Sequence, residues 1–239
     1  ERLNEFLTER LSGLCPDAAV VAEETVASEG PPSEASMARR RVFFVDPIDG
    51  TREFVDKSGD FAVMVGMTLD GEPHLGVIGW PTRHTVYVGM AGVGSFAQQN
   101  GARTRFAVSA TDTFGRAKIV VSRSHLPPMV EPLRRRLGAP PAARRGSAGV
   151  KALLVATGEA DFYPHDGPGM KLWDVCGPQA IVEAAGGRLT DLEGGRVDYR
   201  GGLALERGLL FSNRQLHPGV LSAVDYARRR ARAPRIGGG

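Results

Sequence analysis

Asp46-Pro47-Ile48-Asp49-Gly50-Thr51 is the stretch of this 239-residue chain on which the rest of the reading turns. Its two carboxylates stand three residues apart behind the apolar run 41–45, so both can leave a strand end toward one point, and Gly50 lets the backbone turn tightly. Thr51-Arg52-Glu53-Phe54-Val55 then starts like a short helix, whose free N–H groups would face a phosphate oxygen. Hard oxygen ligands beside such a helix start suit Mg²⁺, which favours a few carboxylates, waters and substrate phosphate. A metal there would neutralise a phosphate and acidify a water into a nucleophile. A bare Asp-x-x-Asp also serves as a turn whose carboxylates cap backbone groups, so the surrounding pattern must decide.

Upstream, Leu3, Phe6, Leu7, Leu11 and Leu14 repeat at helical spacing until Gly13 and Pro16 stop them. The chain thus opens inside an amphipathic helix without a cap, and the expectation is that further sequence precedes residue 1. Ala19–Ala22 reads as a strand, followed by Glu23-Glu24 and a polar loop over 28–36. Downstream, 41–45 and 61–69 read as strands, and 74–79 and 85–89 as an antiparallel pair around Pro81-Thr82-Arg83. Gly89, Gly92 and Gly94 read as turn glycines rather than a dinucleotide motif, because no helix pattern follows them. Asn100-Gly101 is a hairpin signal before a strand at 103–108. A second unit begins near Phe114, with strands at 118–121, 161–163 and 209–211. Its helices fall at 128–137, 150–158, 174–185 (Asp174 at or near the N-cap, Gly186-Gly187 as the stop) and 217–230. The pattern predicts an α/β (α+β) layered fold, with an N-terminal lobe over 1–113, a C-terminal lobe over 114–227 and a basic tail over 228–239.

Composition excludes a disordered chain or a coiled coil: 42% of residues are hydrophobic and 24% charged. No apolar run reaches the length of a membrane span, and the first residues do not resemble a signal peptide. Cys15 and Cys176 are too far apart in sequence for a disulfide framework or a zinc spacing, which fits a reducing compartment and a cytoplasmic location. Cys176, with no basic partner in sequence view, reads as a small buried residue, and Trp80 and Trp173 as core. The net charge of +3 hides an uneven spread: −8 over 1–72, +10 over 73–151, −4 over 152–227 and +5 over 228–239. An acidic segment followed by a basic one suits a metal site facing a small polyanion, and solvated surface charge would give the same pattern. Nucleic-acid binding through the basic segment lacks an aromatic-rich motif.

Asp46-Pro47-Ile48-Asp49-Gly50-Thr51, preceded by Glu23-Glu24 and followed by Trp173-Asp174 with Ala184-Ala185-Gly186-Gly187, resembles the inositol monophosphatase superfamily over residues 1 to about 227. That resemblance implies a two-lobed αβαβα sandwich and a lithium-sensitive, Mg²⁺-dependent phosphatase with two or three ions. It implies metal ligands Glu23, Asp46, Asp49, Asp174 and the Ile48 carbonyl, with Asp46 bridging two ions. Thr51 with Glu23 would orient and deprotonate the attacking water, and the N–H groups of Gly50 and Thr51, with the helix beginning at Asp174, would hold the phosphate. The catalytic set so implied is Glu23, Asp46, Asp49, Thr51 and Asp174. The family's upstream Thr-x-x-Asp segment would fall before residue 1, and Gly177-Pro178 stands where small residues are usual, with Pro178 expected in a tolerant first helical turn. Glu24 reads as either a supporting acid or a solvated one.

Within the superfamily, Val121-Ser122-Arg123-Ser124-His125, Gly146-Ser147-Ala148-Gly149-Val150-Lys151, Asp161-Phe162-Tyr163-Pro164 and Gly167-Pro168 resemble the 3'(2'),5'-bisphosphate nucleotidases. These hydrolyse 3'-phosphoadenosine 5'-phosphate (PAP) to AMP and phosphate, an activity tied to sulfate assimilation. Pro164 stands where inositol phosphatases place a sugar-binding Glu, whereas the Ser147-to-Lys151 spacing matches the inositol enzymes. A second substrate phosphate would need a cationic cradle, for which Arg123, Arg144, Arg145 and Lys151 are candidates, with Ser147 and Lys151 sharing one phosphate and His125 on the nucleotide. Ser147 is equally an ordinary helix N-cap, and His125 a surface residue. Three alternatives stay open: an inositol-phosphate or fructose-1,6-bisphosphate phosphatase, a silent nucleotide-sensing protein, and a nucleic-acid binder. The expected partner is a small phosphate ester, with no nucleic acid and no membrane span, and self-association into a homodimer is left open.

Overall fold

The computed structural model describes residues 1–124 and 126–232. The chain runs α1 (Arg2–Leu14), β1 (Ala19–Ala22), α2 (Glu23–Glu29), α3 (Glu34–Met37), β2 (Arg41–Asp49), α4 (Thr51–Val55), β3 (Ala62–Leu69), β4 (Glu72–Trp80), β5 (Thr85–Met90), β6 (Gly94–Gln99) and β7 (Ala102–Arg105). It continues through β8 (Val120–Ser122), α5 (Val130–Leu137), β9 (Ala143–Arg145), α6 (Ala148–Ala156), β10 (Phe162–His165), α7 (Leu172–Ala184), β11 (Arg188–Asp191), β12 (Leu209–Ser212) and α8 (His217–Arg232).

The first seven strands form one sheet in sequence order, antiparallel except for the parallel β1–β2 pair. β10, β12 and β11 form a second sheet, which the short β8–β9 pair extends through a bridge between Ile119 and Phe162. Helices α6 and α7 pack on each other between the sheets, α1 and α2 cover β1 and β2, and α5 and α8 pack together beyond the second sheet. The result is an αβαβα layering. One apolar core joins Met64, Ile78 and Trp80 of the first sheet to Val150, Val155 and Ile181 of the middle helices and Phe211 of the second sheet.

The seam between α7 and the first sheet depends on glycine. Gly66, Gly76 and Gly89 lie in register on β3, β4 and β5. A Cβ on Gly66 would come 2.3 Å from the Gly177 nitrogen, one on Gly76 2.1 Å from the Gly177 oxygen, and one on Gly89 2.4 Å from the Ile181 Cα. Helix and sheet therefore touch backbone to backbone. Gly89 is thus a packing glycine inside a strand, not the turn glycine expected from sequence, whereas Gly92 and Gly94 do have positive φ.

Other boundaries differ from expectation for local reasons. The polar stretch 28–36 is not wholly loop: Ser28 and Glu29 complete α2, with the Ser28 hydroxyl donating to the Glu24 carbonyl, and Ser33 caps α3 by accepting from the Ser36 N–H. Strands β6, β9 and β11 carry no strand signal in the sequence, because their short, polar or arginine-rich stretches show no clean alternation. Asn100 and Gly101, both at positive φ, make the β6–β7 hairpin turn, and its second strand ends at Arg105 rather than 108. Pro178 is the seventh residue of α7, not in its first turn, so the Asp174 carbonyl lacks its usual i+4 donor. Cys176, Trp80 and Trp173 are buried, and burial pushes the Cys176 thiol up. No described helix is long and apolar enough to cross a membrane.

Candidate active site

The carboxylates of the Asp46–Thr51 stretch converge because β2 is bulged. In a regular strand residues three apart face opposite sides. Here Asp46 pairs with Met64 and Asp49 with Ala62, so three steps on β2 match two on β3, and the extra residue turns both side chains to one side. Pro47, which lacks an N–H for the ladder, sits inside this irregularity. The Ile48 N–H donates to an Asp46 oxygen at 3.0 Å, fixing the turn, and Gly50 at φ 88° leads into α4. The Thr51 hydroxyl donates to the Ile48 carbonyl at 3.2 Å, and Thr51 is exposed.

The third acid comes from α7. Asp174 is the third residue of that helix rather than its N-cap, and its carboxylate accepts the Lys171 N–H at 2.6 Å in a capping-box arrangement. One oxygen each of Asp46, Asp49 and Asp174 lie within 4.8 Å of one another. Glu23, at the start of α2, joins them through a hydrogen bond to Asp46. Glu24 instead lines a cavity against α1 with Asn4 and Thr25.

Two like charges at that separation repel by roughly 3 kcal/mol at an effective dielectric near 20. Burial, then the charges of Asp49, Glu23 and Asp174, push the Asp46 carboxyl far above the usual range. Burial first, then Asp49, raises Asp174 to about 7, and burial raises Glu23. The cluster therefore either takes up protons or binds a cation. All-oxygen donors on acidic side chains, Asp46 and Asp49 buried and Asp174 partly so, fit a hard divalent ion such as Mg²⁺.

The residues expected to hold a second phosphate are arranged differently. Ser147 does cap α6, accepting the Val150 N–H at 2.9 Å, but its hydroxyl donates to Asp49. Lys151 is buried, its Nζ bonded to the Ser147 carbonyl at 2.6 Å and 5.0 Å from the Tyr163 ring centre. Burial lowers its amine to about 8, against the pull of Asp49, Glu53, Asp60 and Asp174. The two residues are brought together, but behind Asp49 of the acid cluster rather than on an open groove. Arg123 pairs with Asp60, which also accepts the Gly146 N–H at 3.1 Å. Its guanidinium remains 41% exposed, and Arg144 and Arg145 are exposed on β9. His125 lies outside the described residues. Pro164 is buried in β10 opposite Leu210, so no carboxylate occupies that place.

Asp60 carries no signal in the sequence. It stands in a Ser58-Gly59-Asp60 turn that looks solvated, and its partners are 63 and 86 residues away, so no local pattern marks it.

The family model of the inositol monophosphatase family matches residues 1–228. The 3'(2'),5'-bisphosphate nucleotidase CysQ of Salmonella typhimurium is 33% identical over 193 residues, which are 81% of this chain and 74% of that protein. Among solved structures, the Thermotoga maritima IMPase TM1415 superposes with a TM-score of 0.78 at 24% identity, covering 95% of this chain and 82% of that one. The extragenic suppressor protein suhB of Bartonella henselae gives 0.77 at 26% identity, covering 93% and 83%. A matching family model along nearly the whole chain, a relative 33% identical over four fifths of it, the layered fold and the converging acids lead to one conclusion: this chain belongs to the inositol monophosphatase family of metal-dependent phosphatases.

Proposed function

We propose that this protein is a Mg²⁺-dependent 3'(2'),5'-bisphosphate nucleotidase that hydrolyses PAP to AMP and phosphate in the cytoplasm. The observation that carries this reading is the 33% identity to a protein of that name along 81% of the chain. Pro164 supports it, since no acid stands there to bind a sugar hydroxyl. Arg144 and Arg145, exposed on β9, offer cations to a second phosphate.

Glu23, Asp46, Asp49 and Asp174 would hold the metal, with the Ile48 carbonyl close by. Bound there, Mg²⁺ neutralises the phosphate and lowers the pKa of a coordinated water. Thr51 has committed its hydroxyl hydrogen to Ile48, so its oxygen is left to accept from a water and aim that water's lone pair at phosphorus. Glu23, half-exposed and hydrogen-bonded to Asp46, is the acid best placed to take the water's proton. The N–H groups of Gly50 and Thr51 would orient the phosphate oxygens. Attack is direct, with no covalent enzyme intermediate.

A phosphate-release panel with PAP, inositol 1-phosphate and fructose 1,6-bisphosphate tests the substrate, each run with Mg²⁺ and with a chelator. PAP turnover should greatly exceed the others and vanish with the chelator. Equal or reversed rates would overturn the nucleotidase assignment, and chelator-resistant turnover would overturn the metal requirement.

A further inference from the structure

Asp49 is the most heavily held carboxylate of the cluster. Its Oδ2 takes the Ser147 hydroxyl and the Gly149 N–H at 2.6 Å, and its Oδ1 takes the Ala148 N–H at 3.1 Å. Asp46 and Asp174 each accept one backbone N–H by comparison. Three donors from one helix start therefore fix a carboxylate that lies about a hundred residues earlier in the chain.

The donors are themselves held under strain. Ser147 adopts φ 55° and ψ 132°, a region unfavourable for any residue with a Cβ. Its carbonyl accepts the buried Lys151 Nζ at 2.6 Å, and its hydroxyl accepts the Val150 N–H. The neighbouring glycines leave no slack: a Cβ on Gly149 would come 2.3 Å from the Met64 sulfur, and one on Gly146 2.1 Å from the Glu53 Cγ. A strained residue kept in place by a buried lysine makes sense if its hydroxyl direction matters.

The geometry points to Ser147 and Lys151 as positioning residues for the metal ligand Asp49, which set Mg²⁺ affinity rather than grip the substrate's second phosphate. Lys151 holds the Ser147 carbonyl, Ser147 then presents its hydroxyl to Asp49, and the one lone pair that the three donors leave on Asp49, on Oδ1, is what it would offer a metal. The inference rests on the metal-binding reading of the cluster.

The test is calorimetric titration of Mg²⁺ into the whole chain without substrate, alongside the Mg²⁺-induced rise in Tm. Ser147→Gly removes the hydroxyl while relieving the backbone, since glycine accepts this φ. Lys151→Met keeps the stem and removes the donor. Each should weaken Mg²⁺ binding by roughly tenfold or more, the scale at which partners of metal ligands act. The double variant should lose less than the product of the two, as residues acting through one contact do. The metal-free Tm of Ser147→Gly should not fall, and the KM for PAP at saturating Mg²⁺ should be unchanged. Wild-type Mg²⁺ affinity in both variants with a raised KM would overturn the proposal in favour of a phosphate cradle. A wild-type protein that binds no Mg²⁺ would instead overturn the metal reading beneath it.

Discussion

Two buried polar clusters in this molecule contrast in what they still lack. Around His217, Nδ1 meets the Ser212 hydroxyl at 2.6 Å and Nε2 the Thr190 hydroxyl at 3.0 Å, and Thr190 also donates to the Asp191 carbonyl. That cluster is complete and neutral, and burial lowers the imidazole to about 4 so that it stays uncharged. Around Asp46, by contrast, acids face acids and their carboxyls are driven upward. A polar cluster that satisfies itself holds a fold together, whereas one that repels itself stores a demand for something from outside.

The sharpest way to break the contrast is to neutralise one member of each. Asp46→Asn should lower phosphatase turnover by about a thousandfold, the scale of removing a key electrostatic group, yet raise the metal-free Tm near neutral pH, because an amide has no proton to take up on folding. His217→Ala should do the reverse, costing on the order of 1–3 kcal/mol by stranding the Ser212 and Thr190 hydroxyls and leaving kcat per folded molecule intact. Turnover assays with thermal melts read both, and matching signs in the two variants would erase the distinction.

Acidity separates the clusters next. The acids have folded-state values above their unfolded ones, so between 3.8 and about 7 for Asp174, and higher for Asp46, the metal-free protein should lose stability as pH rises. Mg²⁺ bound there would displace those protons, so its stabilising effect should grow over the same range, with proton release visible by calorimetry in buffers of different ionisation enthalpy. A Mg²⁺ effect flat with pH would contradict the coupling. His217 has the opposite sign: its folded value lies below 6.5, so its contribution is present above 6.5 and is lost as pH falls toward 4. This smaller effect should disappear from the pH dependence of Tm in His217→Ala.

The contrast was only half legible in the sequence. Asp46 and Asp49 stand out because strand, bulge, turn and helix start all fall within one short stretch, and Trp173-Asp174 stands out through its pattern with the glycines that follow. Helix α1 was readable from its period, although Phe6 and Leu14 of that pattern are exposed. Arg123 and Lys151 read as free cations because the fold supplies their partners: Asp60 is 63 residues from Arg123, and burial sets Lys151 among Asp49, Glu53, Asp60 and Asp174 with its Nζ on the Ser147 carbonyl. Charge on a sequence says which ions are present, and only packing says which are already spent.

The row Gly66, Gly76 and Gly89 bears on the same site from a distance. Three missing methyl groups act as a gauge block under α7. With no Cβ between them, helix and sheet meet backbone to backbone, and that contact sets the height of α7 and of Asp174 near its start. A methyl restored at Gly76 would have to lift the Gly177 carbonyl that it meets at 2.1 Å. The acid triangle would then open without any of its own residues having changed.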